Sequence, residues 1–562
     1  MTAPAGSRAS WIMAAVAWLA LAAVLALWLG TPSPVLREQL KTLQFWSLEI
    51  CFVLAVLVGA LVVREIARQL HRRDVVRMAI LATVALALAV FVAPRTNRIY
   101  YDEQIYQSIG QNLSDLRLAQ MCNDGTVEYG RLQCWSGEYN KQPYAYPHLL
   151  SLLYRVLGVS EAVAFGFNAV AFALTVCGVY LLVLLVFADR TAALFAGLIL
   201  LLTPEQILWS ATAAVEPSAS LACVAALVCA AAFGHSRSTV ALVAAALTTV
   251  YAVQFRPESF LIVPVVGLLL WQRISRDEFT RVRLWAVGFV ALALAGVHIG
   301  HLAAVRSEGW GTQEARLSLG YVVSNLRVNG LFYLADERFP VLFTGFAIWG
   351  LFSRRFFAER LVFALYFALF FGMYLLFYAG SYNYGADVRY SVMTFPPIAV
   401  LGGLGLSRAV AWLESRRYGV RPVRLIVAGL AFQFLWYAPV VRATTEEAWA
   451  ARADVRFARS LAPELRGNAY VLTHNPGMFH VWGVSAGQMS LIVNNPRHLD
   501  FLGLRYRSVY LHWNFWCNVS DPIQVRFCLE ALKVKPAAMV RQQHERDHRY
   551  SLYRFEIPSR AP

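Results

Sequence analysis

Asp102-Glu103, Lys141, Arg256 and Arg389 stand beside long apolar stretches, where an ionised side chain is costly unless it meets water, a counter-charge or a reacting group. Their types are complementary. A carboxylate can take the proton of an incoming hydroxyl or amine, while cations can hold a phosphate and stabilise the charge that develops on it as it leaves. Asp102 and Glu103 follow Tyr100-Tyr101 directly after an apolar run; a helix cap or a salt bridge to Arg95 or Arg98 is the plainer reading of the pair. Lys141 lies in Tyr139-Asn140-Lys141-Gln142-Pro143-Tyr144-Ala145-Tyr146-Pro147 and is one of only four lysines, at 41, 141, 533 and 535. A compact ammonium at the membrane face suits a lipid phosphate, and snorkelling is its plainer alternative. Arg256, in Gln254-Phe255-Arg256-Pro257-Glu258, and Arg389, followed by Tyr390, read singly as interfacial anchors and together with Lys141 as phosphate partners. Glu205 and Glu216, after Thr203-Pro204, either add to a polar cavity or mark a turn.

The elements that carry these residues are membrane helices. The chain of 562 residues is 58% hydrophobic and 15% charged, with a mean hydropathy of +0.50, which leaves too little polar surface for soluble domains. The net charge of +16 does not indicate nucleic acid, because the arginines cluster in short connections between apolar runs. Runs of bilayer length predict about thirteen spans, at 11–30, 48–64, 78–94, 161–187, 192–208, 212–233, 239–255, 257–272, 284–304, 338–352, 360–379, 391–412 and 424–441. Four arginine-rich connections (64–77, 273–283, 354–360 and 408–424) fall on one side if these spans alternate. The positive-inside bias makes that side cytoplasmic, with the N-terminus inside and 31–47, 95–160, 305–337, 380–390 and 443–562 outside. The first span reads as a retained anchor, since no small-residue cleavage site follows it.

Cysteine placement agrees with that topology. Cys51, Cys177, Cys223 and Cys229 lie in spans; Cys122 and Cys134 share one outside segment, Cys517 and Cys528 the other. The expected bridges are Cys122–Cys134 and Cys517–Cys528, with free thiols the alternative. Beyond Arg442 no run is long enough to span, and strand-like stretches at 469–472, 508–512, 538–540 and 551–557 alternate with helix-like ones. This predicts a small extracytoplasmic α/β domain over 443–562, with 1–442, including the loop 95–160, forming the transmembrane part. No internal repeat appears. His474, His480, His498 and His512 lack metal-ligand spacing.

The order of these features resembles the GT-C glycosyltransferases, and within them the bacterial branch related to protein O-mannosyltransferases and the lipid A aminoarabinose transferase. The resemblance covers about 78–442 and rests on Asp102-Glu103, Asn140-Lys141-Gln142-Pro143, Thr203-Pro204 with Glu216 downstream, and Arg389-Tyr390 followed by Pro396-Pro397. It implies a GT-C-like fold, a polyprenyl-phosphate-linked sugar as donor and transfer with inversion. It further implies Asp102 as general base, Glu103 orienting the acceptor or supporting Asp102, and Lys141 on the donor phosphate. Arg256 and Arg389 are placed as phosphate partners by location, with Tyr390 and Glu216 as further cavity residues. Two spans precede the one before Asp102, where the relatives usually have one in all, and Lys-Gln-Pro replaces the Lys-Pro-Pro of the lipid A enzyme.

A multi-pass enzyme of the bacterial inner membrane is therefore expected, acting on a cell-envelope glycan, lipid or protein. The competing readings are a transporter or flippase, which would place its charges near the bilayer midplane of repeated halves, and an envelope polysaccharide polymerase or ligase. No nucleic-acid partner is expected. Three cations can do the work of a metal, so no obligatory metal is predicted, although Mg²⁺ or Mn²⁺ could bridge a carboxylate to the phosphate.

Overall fold

The computed structural model describes residues 8–99, 101–275, 281–308, 315–352, 356–382, 387–416, 422–442, 449–519 and 521–557. Tyr100, Asn383, Tyr384, Gly385 and Ala386 of the motifs above, and Arg276, Arg354, Arg355, Arg417 and Arg421 of the basic connections, lie outside the described residues. Two compact units emerge, one of residues 1–95 and 165–443, the other of 96–164 and 444–562.

The first unit is helical. Among the described residues, nine helices are long and apolar enough to span a membrane: Ser10–Leu29, Ser33–Ala67, Arg72–Val92, Glu161–Phe187, Glu216–Ser236, Val282–Ala304, Phe357–Leu376, Val388–Ser415 and Pro422–Arg442. A tenth is the pair Arg190–Leu201 and Pro204–Ser210, bent by 62°, and three apolar helices are shorter, Thr239–Ala252, Pro257–Trp271 and Val341–Leu351. Together they follow the thirteen expected spans in order. Three details differ. Ser33–Ala67 is one helix of 35 residues, so most of 31–47 is helical and not an outside loop. The run 192–208 breaks at Thr203-Pro204, because proline lacks the N–H and its ring excludes the preceding turn; Thr203 Oγ1 donates to Ile199 O at 2.7 Å there. An unexpected helix, Val322–Leu334, lies inside 305–337.

That extra helix carries two asparagines that fix the backbone of 374–382. Asn325 Nδ2 donates to the carbonyls of Tyr374, Leu375 and Phe377 at 2.9–3.2 Å, satisfying the end of helix Phe357–Leu376. Asn329 Nδ2 donates to Gly380 O at 3.0 Å and its Oδ1 accepts from Tyr382 N at 2.8 Å. Both asparagines are buried, and in a low-dielectric interior their hydrogen bonds to backbone hold that backbone firmly.

The second unit is built on a seven-stranded sheet of order β2-β1-β4-β3-β5-β7-β6. Its strands are β1 (Met121–Glu128), β2 (Arg131–Glu138), β3 (Ala469–Thr473), β4 (Ser485–Gln488), β5 (Ser508–Trp513), β6 (Ala537–Glu545) and β7 (His548–Phe555). A parallel centre, β4-β3-β5, is flanked by the hairpins β1-β2 and β6-β7, each joined to it antiparallel. The segment 95–160, expected with the membrane part, therefore belongs with the C-terminal segment: β1 pairs with β4 at Asp124–Gly487 and Gly125–Ala486, and Tyr470 Oη donates to Asp124. One sheet face packs on Phe457, Ala458, Leu461 and Leu465 of helix Trp449–Leu465, the other on Leu499, Leu502 and Ala531 of the helices Arg497–Arg505 and Pro522–Lys533. Disulfides join Cys122 to Cys134 and Cys517 to Cys528, with Cα separations of 5.7 and 5.8 Å, while Cys51, Cys177, Cys223 and Cys229 are free.

Candidate active site

The candidate residues divide into two groups, one in each unit. Asp102 opens the helix Asp102–Asp115, where a carboxylate meets unpaired backbone N–H groups and the positive end of the helix dipole. Asp102 itself is half-buried. The residue before it, Tyr101, has φ 80° and ψ −54°, near the strained γ-turn geometry that non-glycine residues rarely adopt. Several contacts hold it there: Tyr101 N donates to Gln104 Oε1 at 2.9 Å, its hydroxyl to His474 O at 3.4 Å, and its ring meets Trp516 edge-on at 6.3 Å. Burial, reinforced by the negative charges of Glu138 and Asp102, pushes the Tyr101 phenol up to about 12. It therefore stays neutral beside the acid.

Glu103 has a different role from its neighbour. It is fully buried, and one carboxylate oxygen accepts from Arg98 N at 2.7 Å and Ile99 N at 2.9 Å. Of the two expected roles, orienting an acceptor or supporting Asp102, these contacts resemble the second: they tie down the backbone at Arg98 and Ile99, a few residues before Asp102. The helix behind Asp102 is seated just as closely. A Cβ on Gly477 would stand 2.6 Å from Ser108 Cβ, so only glycine permits this approach.

Lys141 sits, half-buried, in a turn with fixed geometry. Tyr144 Oη donates to Asn140 O at 2.9 Å and accepts from Asn140 N at 2.8 Å; Asn140 Oδ1 accepts from Gln142 N at 2.9 Å. Tyr106, on the Asp102 helix, donates to Gln142 Oε1 at 3.4 Å and packs edge-on against Tyr146. The turn and the helix are thus mutually braced within one unit.

In the membrane unit, Glu216 opens the helix Glu216–Ser236 and is fully buried. One of its oxygens is shared by two cations, Arg256 Nη1 and, at 3.1 Å, Arg389 Nε. Arg256 Nε also donates to Glu258, whose same oxygen accepts from Tyr374 Oη. Arg256 and Arg389 lie 5.3 and 5.1 Å from the Tyr390 ring centre, and Tyr390 stacks on Tyr374 at 4.3 Å. Two guanidiniums, two carboxylates and a stacked tyrosine pair therefore form one formally neutral cluster. An anion binding there has to share the arginines with Glu216. Glu205 Oε2 accepts from Trp209 Nε1 at 3.1 Å, and its Oε1 lies 4.0 Å from Arg338 Nε.

Among the described residues, one group of three side chains, His474, Cys517 and Cys528, has ligand atoms close enough for a metal. The disulfide between the two cysteines removes both thiolates, so the group does not fit a metal in its oxidised form.

Residues 141–301 match the family model described as dolichyl-phosphate-mannose-protein mannosyltransferase. Over 84% of this chain the fold is similar to that of ArnT from Cupriavidus metallidurans. The structure of that protein bound to undecaprenyl phosphate shares 15% identity and a TM-score of 0.52 over 84% of this chain and 97% of that one; its apo state gives 0.53 over the same shares. The fold is that of the GT-C membrane glycosyltransferases. The archaeal oligosaccharyltransferase AglB from Archaeoglobus fulgidus, in complex with an inhibitory peptide and a dolichol-phosphate, is more distant, at 13% identity and a TM-score of 0.48 over 85% of this chain and 74% of that chain. No curated protein matches in sequence. On this GT-C scaffold, Glu258, Tyr374, Asn325 and Asn329 join the candidates and were not singled out from the sequence. A signal existed for the asparagines, polar residues three and four positions from apolar neighbours in Val322–Leu334; Glu258 was visible only as part of the Arg256 motif.

Proposed function

We propose that this protein is an integral membrane glycosyltransferase that moves a sugar from a polyprenyl-phosphate-linked donor to an extracytoplasmic acceptor, with inversion, on the outer face of the bacterial inner membrane. The observation that carries the reading is Asp102 itself: a half-buried carboxylate at a helix start, next to a strained Tyr101 and backed by a buried Glu103. A carboxylate carried on backbone fixed in this way can accept a proton with little reorganisation of its surroundings. As the acceptor hydroxyl or amine attacks the anomeric carbon, its proton passes to Asp102 and the bond from that carbon to the phosphate oxygen breaks, releasing polyprenyl phosphate. Lys141 receives the donor phosphate as a point charge, and Arg256 and Arg389, shared with Glu216, are the phosphate partners of the membrane unit. The GT-C fold, the partial family match and the undecaprenyl phosphate bound to ArnT support a lipid-linked donor.

The test is transfer of a labelled sugar from synthetic polyprenyl-phosphate donors in native membranes. Asp102→Asn keeps size and removes the base, and is expected to lower kcat by about 10²–10⁴-fold at unchanged expression. Full activity in that variant would remove Asp102 from the mechanism. In the same assay excess chelator is expected to leave turnover intact, since cationic side chains stand in for a metal; loss of turnover restored by Mg²⁺ or Mn²⁺ would make the metal obligatory.

A further inference from the structure

A cleft of about 430 Å³ opens within the sheet-bearing unit, and one of its walls is Tyr101, the residue bonded to Asp102. Consecutive Cα atoms lie about 3.8 Å apart, so a wall of this cleft and the candidate base share one short stretch of backbone. The volume falls in the range typical of small-molecule sites, roughly 300–1,000 Å³.

The composition of the lining is selective. Polar groups come from Gln488, Ser490, Asn494 and Gln524, and flat apolar faces from Tyr101 and Trp516; no lysine, arginine, aspartate or glutamate is among the lining residues. Gln488 and Ser490 are tied to each other and to Asn123, whereas the carboxamides of Asn494 and Gln524 make no hydrogen bond to other described residues. An anion would find no counter-charge here and a cation no carboxylate. A purely apolar ligand would strand the amides. What fits is a ligand rich in neutral donors and acceptors with C–H faces to lay on aromatic rings, which describes a sugar.

The floor is built on a hydrogen-bonded network. Asn514 Oδ1 accepts from Trp516 N at 2.9 Å, which fixes the amide so that its Nδ2 faces His474 Nδ1 at 3.2 Å. Burial holds His474 down to about 4, so it adds no charge to the lining. Below it, Thr473 Oγ1 lies 3.3 Å from His512 Nδ1, and His512 Nε2 lies 2.9 Å from Asp454, whose other oxygen accepts from Phe515 N at 3.2 Å. This buried network keeps the cleft open in one shape.

We infer that this cleft is the acceptor subsite and that the acceptor is a neutral glycan, its sugar ring laid against Trp516 and Tyr101 with its hydroxyls on Asn494 and Gln524. The assignment of the cleft to an acceptor rests on the glycosyltransferase reading above; its preference for neutral sugars does not.

The experiment uses the full chain in lipid nanodiscs and two separate readouts. Binding of labelled neutral oligosaccharides, with chitobiose and maltotriose as probes, is compared with a sugar phosphate and a lysine-rich peptide, in the wild type and in the Asn494→Leu/Gln524→Leu and Trp516→Ala variants. Sugar transfer from the lipid-linked donor to the same oligosaccharides is followed independently. The expected result is that a neutral glycan binds the wild type, that both variants weaken it at least tenfold with circular dichroism unchanged, and that neither charged probe binds better. If no neutral glycan binds, if a charged probe binds more tightly, or if both variants bind it as the wild type does, the cleft is not a glycan site. Glycan binding lost in the variants while no donor ever turns over would sink the glycosyltransferase reading and leave the sugar cleft. Transfer to a glycan with an acceptor KM unmoved by either variant would do the reverse.

Discussion

Glu103 and Glu216 are both fully buried acids at the first turn of a helix, and the structure uses them in opposite ways. Glu103 gives one carboxylate oxygen to two backbone N–H groups and so converts burial into geometry for the backbone before Asp102. Glu216 spends its charge on two arginines, which neutralises cations that an apolar environment would otherwise expel. The lesson is that an acid next to a functional residue is not by that fact a chemical group. Its partners decide: backbone donors make it an anchor, guanidiniums make it a counter-ion. Asp102, by contrast, is half-buried at the first position of the helix whose entry Glu103 holds.

Removing a charge from each acid separates the two roles, and the larger effect is expected in the membrane unit. Glu216→Gln leaves Arg389 and part of Arg256 facing a neutral amide inside a low-dielectric cluster, and breaking a buried pair by removing one partner typically costs about 3–5 kcal/mol. Thermal unfolding in detergent should shift strongly downward. Glu216→Gln combined with Arg389→Gln should recover part of the loss, because the orphaned cation goes with its partner. A single variant as stable as the wild type would mean that the arginines are solvated and that the cluster is not a closed ion-pair network.

The smaller effect on stability, with a larger effect on turnover, is expected at Glu103→Gln. The amide oxygen still accepts from Arg98 N and Ile99 N but loses the charge that strengthens both bonds, a change of about 1–3 kcal/mol. Because the backbone it holds leads directly into Asp102, kcat in the transfer assay should fall about 10²-fold, with the KM for donor nearly unchanged. Glu103→Asp, too short to reach both amides but still charged, should be as impaired as the amide. Were Glu103→Asp to restore turnover with Glu103→Gln inactive, the charge itself would be chemically engaged and the anchoring role would fall.

This contrast also marks what was legible in the sequence. The spans were, because about twenty consecutive apolar residues leave few alternatives, and the thirteen runs recur as helices in order. The bend at Thr203-Pro204 was half-visible, since proline says where a helix stops and not that the two pieces continue one run. The strands β3, β5, β6 and β7 were legible from their β-branched and aromatic residues. The hairpin β1-β2 was not: Met121–Glu128 reads Met-Cys-Asn-Asp-Gly-Thr-Val-Glu, rich in residues that disfavour strands, and its partner β4 lies more than 350 residues away in sequence. That one pairing moves the whole segment 96–164 out of the membrane unit. Within the candidate site, residue types and helix-end positions were readable. Which acid holds which partner was not, because Glu103 bonds to backbone N–H groups that carry no sequence signature, and Glu216 meets Arg256 and Arg389 only once helices far apart in the chain have packed.

A final contrast lies in how the sheet-bearing unit answers pH, and it is the smallest effect expected. His474 and His480 are both held down to about 4 by burial, against an ordinary value of 6.5. The fold therefore keeps both rings neutral where the unfolded chain would protonate them. With the folded value below the unfolded one, their contribution is constant above pH 6.5 and is lost as pH falls from about 6.5 toward 4. Asp115 and Asp124, raised mainly by burial, act in the opposite sense: the fold takes up a proton there before the unfolded chain does, so their contribution grows as pH falls through their folded values. The histidine contribution is isolated by difference. Between pH 7.5 and 6 each histidine is expected to cost the wild type about 1 kcal/mol, and His480→Gln should remove one such increment from the slope of stability against pH. Hydrogen exchange of the β3 and β4 amides, read at both pH values in the full chain, measures that slope where the two rings lie. A slope unchanged by His480→Gln would mean that the ring is hydrated and titrates normally, and that the core between β4 and the helix of Asp102 is wetter than its packing indicates.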